Sequence, residues 1–195
     1  MSARPPLDAT PDADAIARVL AGDGALYQVL VARYQESLFR IAYSMVRDSD
    51  VAADMVQDAF VRAYVNLARC RNRERFRVWL ITLLRNRVLD HLKEKRRRDA
   101  SLSDDDVLRR AEAYPVRAAE SDERYALRTL MEDALTRLSE PLREAFVLRH
   151  VEELPVAEVA QMLGTGVSAI KMRLQRAREQ MQKTVGAALG TGDET

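Results

Sequence analysis

The sequence is poor in the residues that build disulfides and metal sites. It has one cysteine, Cys70, and two histidines, His91 and His150. A single thiol excludes an internal disulfide, and these three residues fall short of a structural zinc site. No metal and no cofactor are therefore expected. No apolar run reaches the about 18 residues that a membrane helix needs, so no membrane insertion is expected. The opening residues, MSARPPLDATPDADA, lack the apolar core of a signal peptide, which points to the cytoplasm. Neither a glycine-rich phosphate loop nor an acid–base constellation stands out, so an enzyme acting on nucleic acid is disfavoured. Sustained period-two alternation is also missing, and no sheet is expected.

What is present is helical spacing and uneven charge. The 195 residues are 47% hydrophobic and 31% charged, an ordinary globular composition long enough for two small domains. The formal net charge of +1 conceals three blocks. Arg69 to Arg98 holds twelve Lys/Arg against three acids, a net +9. Asp99 to Glu123 holds eight acids against three Arg, a net −5. Val167 to Lys183 holds five bases against one acid, a net +4. Two basic blocks around an acidic one suit a polyanion partner, although solvated helix faces produce similar blocks.

Apolar periodicity divides the chain. Residues 1–24, with Pro5, Pro6, Pro11, Gly22 and Gly24, read as a flexible N-terminal segment with one short helix over Asp14 to Leu20. A first domain over 25–98 has three main helices. The first carries Leu26, Leu30, Tyr34, Leu38, Ile41 and Met45; the second starts after Asp48 or Ser49 as cap; the third runs from Phe76 to about Arg97. Phe60 and Tyr64 fit its core, as does Trp79. Residues 99–123 form an acidic linker, with a helical turn expected around Val107 to Tyr114. A second domain spans 124–185, and 186–195 is a flexible tail. In it, Ser139 can cap a helix with Pro141 in its first turn. The expected fold is all-α: two small helical domains joined by a linker.

Leu154 to Lys183 is the most informative segment. Pro155 to Leu163 is a short helix with Val156, Val159, Ala160 and Leu163 on one face. Gly164-Thr165-Gly166 breaks it, and Val167 to Lys183 forms a longer helix. Such a pair crossing over a glycine turn is a helix-turn-helix, whose second helix enters the DNA major groove. Gly164 can take the positive φ of the turn. Ile170 and Leu174 face inward, leaving Ser168, Lys171, Met172, Arg173, Gln175 and Arg176 outward to read duplex DNA. A solvated αα-hairpin with a basic face would share much of this pattern.

Three segments here, Leu138-Ser-Glu-Pro-Leu-Arg-Glu-Ala-Phe-Val-Leu-Arg, Glu158-Val-Ala-Gln-Met-Leu-Gly and Ile170-Lys-Met-Arg-Leu-Gln-Arg-Ala-Arg, resemble the promoter-recognition domain of extracytoplasmic-function sigma factors. In the first domain, Asp54-Met-Val-Gln-Asp-Ala-Phe-Val-Arg-Ala-Tyr resembles that family's polymerase-binding helix. Phe76-Arg-Val-Trp-Leu and Arg85-Asn-Arg-Val-Leu-Asp-His-Leu resemble its helix for the melted promoter element. Both resemblances stand in the right order, separated by a linker.

The resemblance implies core RNA polymerase as partner, promoter DNA (duplex and melted) as ligand, and an anti-sigma factor that silences the protein. It assigns polymerase binding to Asp54, Val56, Gln57, Asp58 and Arg62, and melted DNA to Arg77, Arg85, Asn86 and Arg87. The loop residues Arg71, Asn72, Arg73 and Arg75 suit capture of an unpaired base. Arg96, Arg97 and Arg98 suit backbone phosphates. Cys70 lies among cations that could lower a thiol pKa and give it a redox role, although an incidental cysteine is the favoured reading. A dimeric regulator that binds a palindrome without polymerase is the alternative.

Overall fold

The protein is described here by a computed structural model covering residues 10–99 and 122–188, and structural statements concern those residues. Their regular structure is entirely helical, with no strand among them. The chain divides into two compact units.

The first unit contains α1 (Asp12–Leu20), α2 (Tyr27–Val46), α3 (Ser49–Val65) and α4 (Phe76–Asp99). Single 3-10 turns at Leu67–Arg69 and Arg73–Arg75 connect α3 to α4. Local chemistry sets the boundaries. Arg47, in the left-handed region at φ 59°, ends α2. Asp48, not Ser49, caps α3, accepting a hydrogen bond from the Val51 backbone N–H at 3.0 Å. That cap satisfies one of the orphan N–H groups and contributes about 1 kcal/mol. The core lies where α2, α3 and α4 meet. Phe76, Leu80, Ile81, Leu84 and Val88 are completely buried along α4 at helical spacing.

One expectation is corrected at the N-terminus. The helix expected over Asp14 to Leu20 in a flexible segment starts at Asp12 and is packed, with Ala15 and Ile16 fully buried. Gly22 at φ +105° closes it: the N–H of Asp23 bonds back to the Arg18 carbonyl at 3.0 Å. Pro11 and Gly22 flank this helix.

The second unit contains α5 (Asp122–Arg137), α6 (Glu140–Phe146), a π-helical turn at Val147–Val151, α7 (Val156–Met162) and α8 (Val167–Ala188). Helix α8 is its axis, packing against α5, α6 and α7. Ala134, Leu138, Leu142, Ala177 and Met181 form a core, with Leu135, Phe146 and Val185 packed on it. Ser139 stands at the start of α6, but its hydroxyl makes no cap hydrogen bond. Gly164 sits at φ +61°, and the Thr165 N–H bonds to the Ala160 carbonyl at 3.0 Å. The glycine thus supplies the left-handed residue that turns α7 into α8. Helix α8 continues through Ala188, past the expected start of the tail at 186. The turn expected at Val107 to Tyr114 lies outside the described residues.

Core and surface positions should respond differently. Leu84→Ala, at a wholly buried site, should cost about 2–5 kcal/mol. Val65→Ala, on the exposed side of α3, should stay within about 0.5 kcal/mol. Urea denaturation followed by circular dichroism measures both; similar losses would mean that α4 is not the core element.

Candidate polymerase and nucleic-acid interfaces

On α3, residues spaced by three or four share a face. Asp54 and Gln57 are exposed on it, and Val61, Tyr64 and Val65 extend it toward the helix C-terminus. Val61 is 56% exposed and Val65 74%, which leaves an apolar strip beside the acid. Two assignments change here. Val56 is 7% exposed and packs with the core rather than standing out on this face. Tyr64, expected in the core, is half-exposed, its ring edge-on to Tyr27 at 4.9 Å. Phe60 is buried as expected.

Asp58 is occupied within the domain. Its carboxylate lies 3.0 Å from Arg62 Nε on its own helix and 3.0 Å from Arg87 Nε on α4. The second contact ties α3 to α4 and engages an arginine assigned to melted DNA. Both partners are partly exposed, so this ion pair orients side chains more than it stabilises the fold.

The loop from Leu67 to Arg75 is ordered by three buried anchors: Leu67, Cys70 and Phe76. Backbone hydrogen bonds close each turn, Cys70 N–H to Leu67 O at 3.1 Å and Arg75 N–H to Asn72 O at 3.1 Å. Between the anchors, Arg71 and Asn72 are exposed, while Arg73 and Arg75 are half-buried. The four side chains thus sit on a short, pinned protrusion, with Glu74 exposed among them.

Along α4, the remaining candidates do not share one face. Successive residues turn by about 100°, so Arg85, Asn86 and Arg87 spread over more than half the circumference. Arg77 and Arg85 are half-buried, Asn86 is exposed, and Arg87 turns to Asp58. Trp79, expected in the core, is only half-buried; it lies 5.9 Å from the Phe76 ring and one heptad before Asn86. Arg96, Arg97 and Arg98 are exposed at the end of α4.

In the second unit, Ile170, Leu174, Ala177 and Met181 face inward on α8. Ser168, Lys171, Met172, Gln175 and Arg176 are exposed, and Arg173 is half-buried. Gln175 donates to Glu179 at 3.0 Å, a contact it must release to reach a base. Five of the six duplex candidates therefore lie on the outward side of α8, with Arg173 at the edge of its buried stripe, and the helix has the basic, solvent-facing surface of a recognition helix.

Two helical domains, the second a helix-turn-helix with a basic outer face, define a DNA-binding transcription protein. Comparison with known proteins narrows this. The sigma-70 region 2 family model matches residues 30–98, and that for sigma-70 region 4 matches residues 128–181. The chain is 30% identical to RNA polymerase sigma-H factor of Pseudomonas aeruginosa, over 89% of this chain and 93% of that protein. It is 31% identical to the extracytoplasmic-function RNA polymerase sigma-E factor of Escherichia coli, over 87% and 92% of the two chains. A solved structure of CnrH in complex with the cytosolic domain of CnrY is 26% identical, with TM-score 0.66, covering 94% of this chain and 100% of that one. The fold also matches sigma factor RpoE of Bartonella quintana, solved with anti-sigma factor NepR, at TM-score 0.69, 23% identity and 82% and 96% coverage.

The chain belongs to the sigma-70 family, as an extracytoplasmic-function sigma factor. It is a non-enzymatic initiation factor that directs RNA polymerase to promoters. No helix among the described residues is long and apolar enough to cross a membrane.

Val61 and Val65, the two exposed valines of this face, were not among the residues singled out from the sequence. A fourfold spacing continuing the Asp54–Gln57 face was the available signal. The expected lowering of the Cys70 thiol pKa is also overturned: burial pushes it up, outweighing the opposing pull of Arg73. Fewer thiolates form at neutral pH, so alkylation of Cys70 by iodoacetamide should be much slower in the folded chain than in urea. The folded rate should keep rising beyond about pH 8.5, where an ordinary thiol begins to level off. Equal rates folded and unfolded would place the thiol in solvent.

Proposed function

We propose that the two domains divide promoter recognition between them. In this reading the α3 face of Asp54, Gln57, Val61 and Val65, with Arg62 at its edge, docks on core polymerase. The Arg71–Arg75 protrusion takes an unpaired base, and Asn86 with Trp79 on α4 follows the melted strand, the indole as a stacking surface. Arg77 and Arg85 flank that path, and Arg87 joins it only by leaving Asp58. Arg96, Arg97 and Arg98 hold phosphates, giving affinity without sequence choice. The outer face of α8, from Ser168 to Arg176, reads the upstream duplex element.

The observation that carries this reading is the α3 strip. Two valines at 56% and 74% exposure, beside an acid on a packed helix, have a cost in water that a partner surface would remove. In this reading the protein works in the cytoplasm, where its polymerase is, and an anti-sigma factor silences it.

Charge and polarity reversal on α3, Asp54→Lys with Val65→Asp, should abolish co-purification with core polymerase while leaving the helical circular-dichroism signal unchanged. Normal co-purification would remove the assignment.

On the second domain, Arg173→Ala and Arg176→Ala should each weaken binding to the upstream duplex by about 1–3 kcal/mol if they read bases. Transcription from a pre-melted template should be largely retained. If both templates suffer equally, α8 is not the duplex reader.

A further inference from the structure

The helix α1 lies before the residues matched by the region 2 family model, which begins at position 30. It is nonetheless built into the part of the domain that carries the loop. In its first turn, the Asp12 carboxylate accepts hydrogen bonds from Arg33 Nη1 and from the Tyr34 hydroxyl. Arg33 Nη2 also donates to the Thr10 carbonyl at 2.8 Å. The Tyr34 ring lies 5.9 Å from the Phe76 ring. Phe76 directly follows Arg75 and is fully buried. A chain of contacts thus runs from Asp12 through Tyr34 to the residue that anchors the C-terminal end of the loop. Helix α1 also packs against both 3-10 turns, Leu67–Arg69 and Arg73–Arg75. Burial and the Asp12 hydrogen bond push the Tyr34 phenol up to about 12, so it remains a donor across the physiological range.

We propose that α1 is a brace, with Asp12 as its positioning residue, that holds the Leu67–Arg75 loop in the shape needed to receive an unpaired promoter base. This rests on the reading of that loop as the base-capturing element. Inside the loop, single-turn backbone bonds and a 3.6 Å contact from the Cys70 sulfur to the Asn72 carbonyl hold the local turns. The packing of α1 against both turns adds a tertiary restraint to these local ones. A loop already in its bound shape loses less conformational entropy on capture, so bracing favours the open complex without adding any DNA contact.

The test uses the full chain with core polymerase and compares wild type, Asp12→Ala, Ile16→Ala and Asp12→Asn. A loop replacement (Arg71→Ala, Asn72→Ser, Arg73→Ala, Arg75→Ala) is made alone and combined with Asp12→Ala. Amide hydrogen exchange is read over Leu67–Arg75 and over Leu80–Val88, and the open fraction by permanganate footprinting beside a closed-complex gel shift. Asp12→Ala and Ile16→Ala should speed exchange in the loop by about tenfold while leaving Leu80–Val88 protected. The open fraction should fall severalfold with closed binding unchanged, and no further when the loop is already replaced. Asp12→Asn, whose amide oxygen still accepts one bond, should restore most of both signals. Unchanged loop exchange overturns the brace. So does faster exchange throughout the domain, which would make α1 a general part of the fold. Faster loop exchange with wild-type opening also overturns it, provided the loop replacement itself is defective. If the loop replacement opens DNA normally, the base-capture reading is what fails, and the role of α1 in opening fails with it.

Discussion

Burial of Phe76 is the constraint on which the first domain depends. This ring begins α4, closes the loop that precedes it, and packs beside Tyr34 and Trp79. Once it is buried, the register of α4 follows: Leu80, Ile81, Leu84 and Val88 face inward by helical periodicity, and Thr82, Asn86 and Lys93 are turned away from the core. The same burial fixes where the basic loop ends. A residue that serves both core and loop couples domain stability to the geometry of the protrusion, and packed aromatic contacts resist intermediate positions.

The charge pattern acquires a different meaning once side chains are placed. The first basic block looks uniform along the chain, yet Arg87 is directed to Asp58, and Arg73 and Arg75 are half-buried. Basic residues there serve both structure and display. In the second domain almost the whole outer face of α8 is exposed, and its inner face is purely apolar or small. The first surface is suited to shape-dependent contacts with an irregular strand, the second to a regular groove. Two modest surfaces on one chain gain by tethering: once polymerase holds both, the second contact forms at high effective concentration.

Much of the architecture was legible beforehand. Helices α2, α3 and α4, the glycine turn and α8 all follow from apolar spacing of three and four with caps at Asp48 and Gly164. Those signals are local: they depend on residues within one or two turns of each other. The errors are equally specific. Tyr64 and Trp79, which fit an apolar stripe, are half-exposed and half-buried, and Val56, on the helix of the docking face, is buried. Each lies near the border of an apolar stripe, where a rotation of some tens of degrees decides burial.

Two helical domains, a helix-turn-helix and two basic blocks can be read from the chain alone, because helix periodicity, capping and turn chemistry are written in neighbouring residues. Which side chains remain available is set by the packing. Asp58 is taken by Arg62 and Arg87, Cys70 is buried within its loop, and Asp12 reaches across to Arg33 and Tyr34. These outcomes join residues up to 29 positions apart (Asp58 to Arg87). No local rule connects such pairs; they meet because burying the apolar stripes fixes how the helices pack, and the polar side chains then find the partners that packing puts within reach.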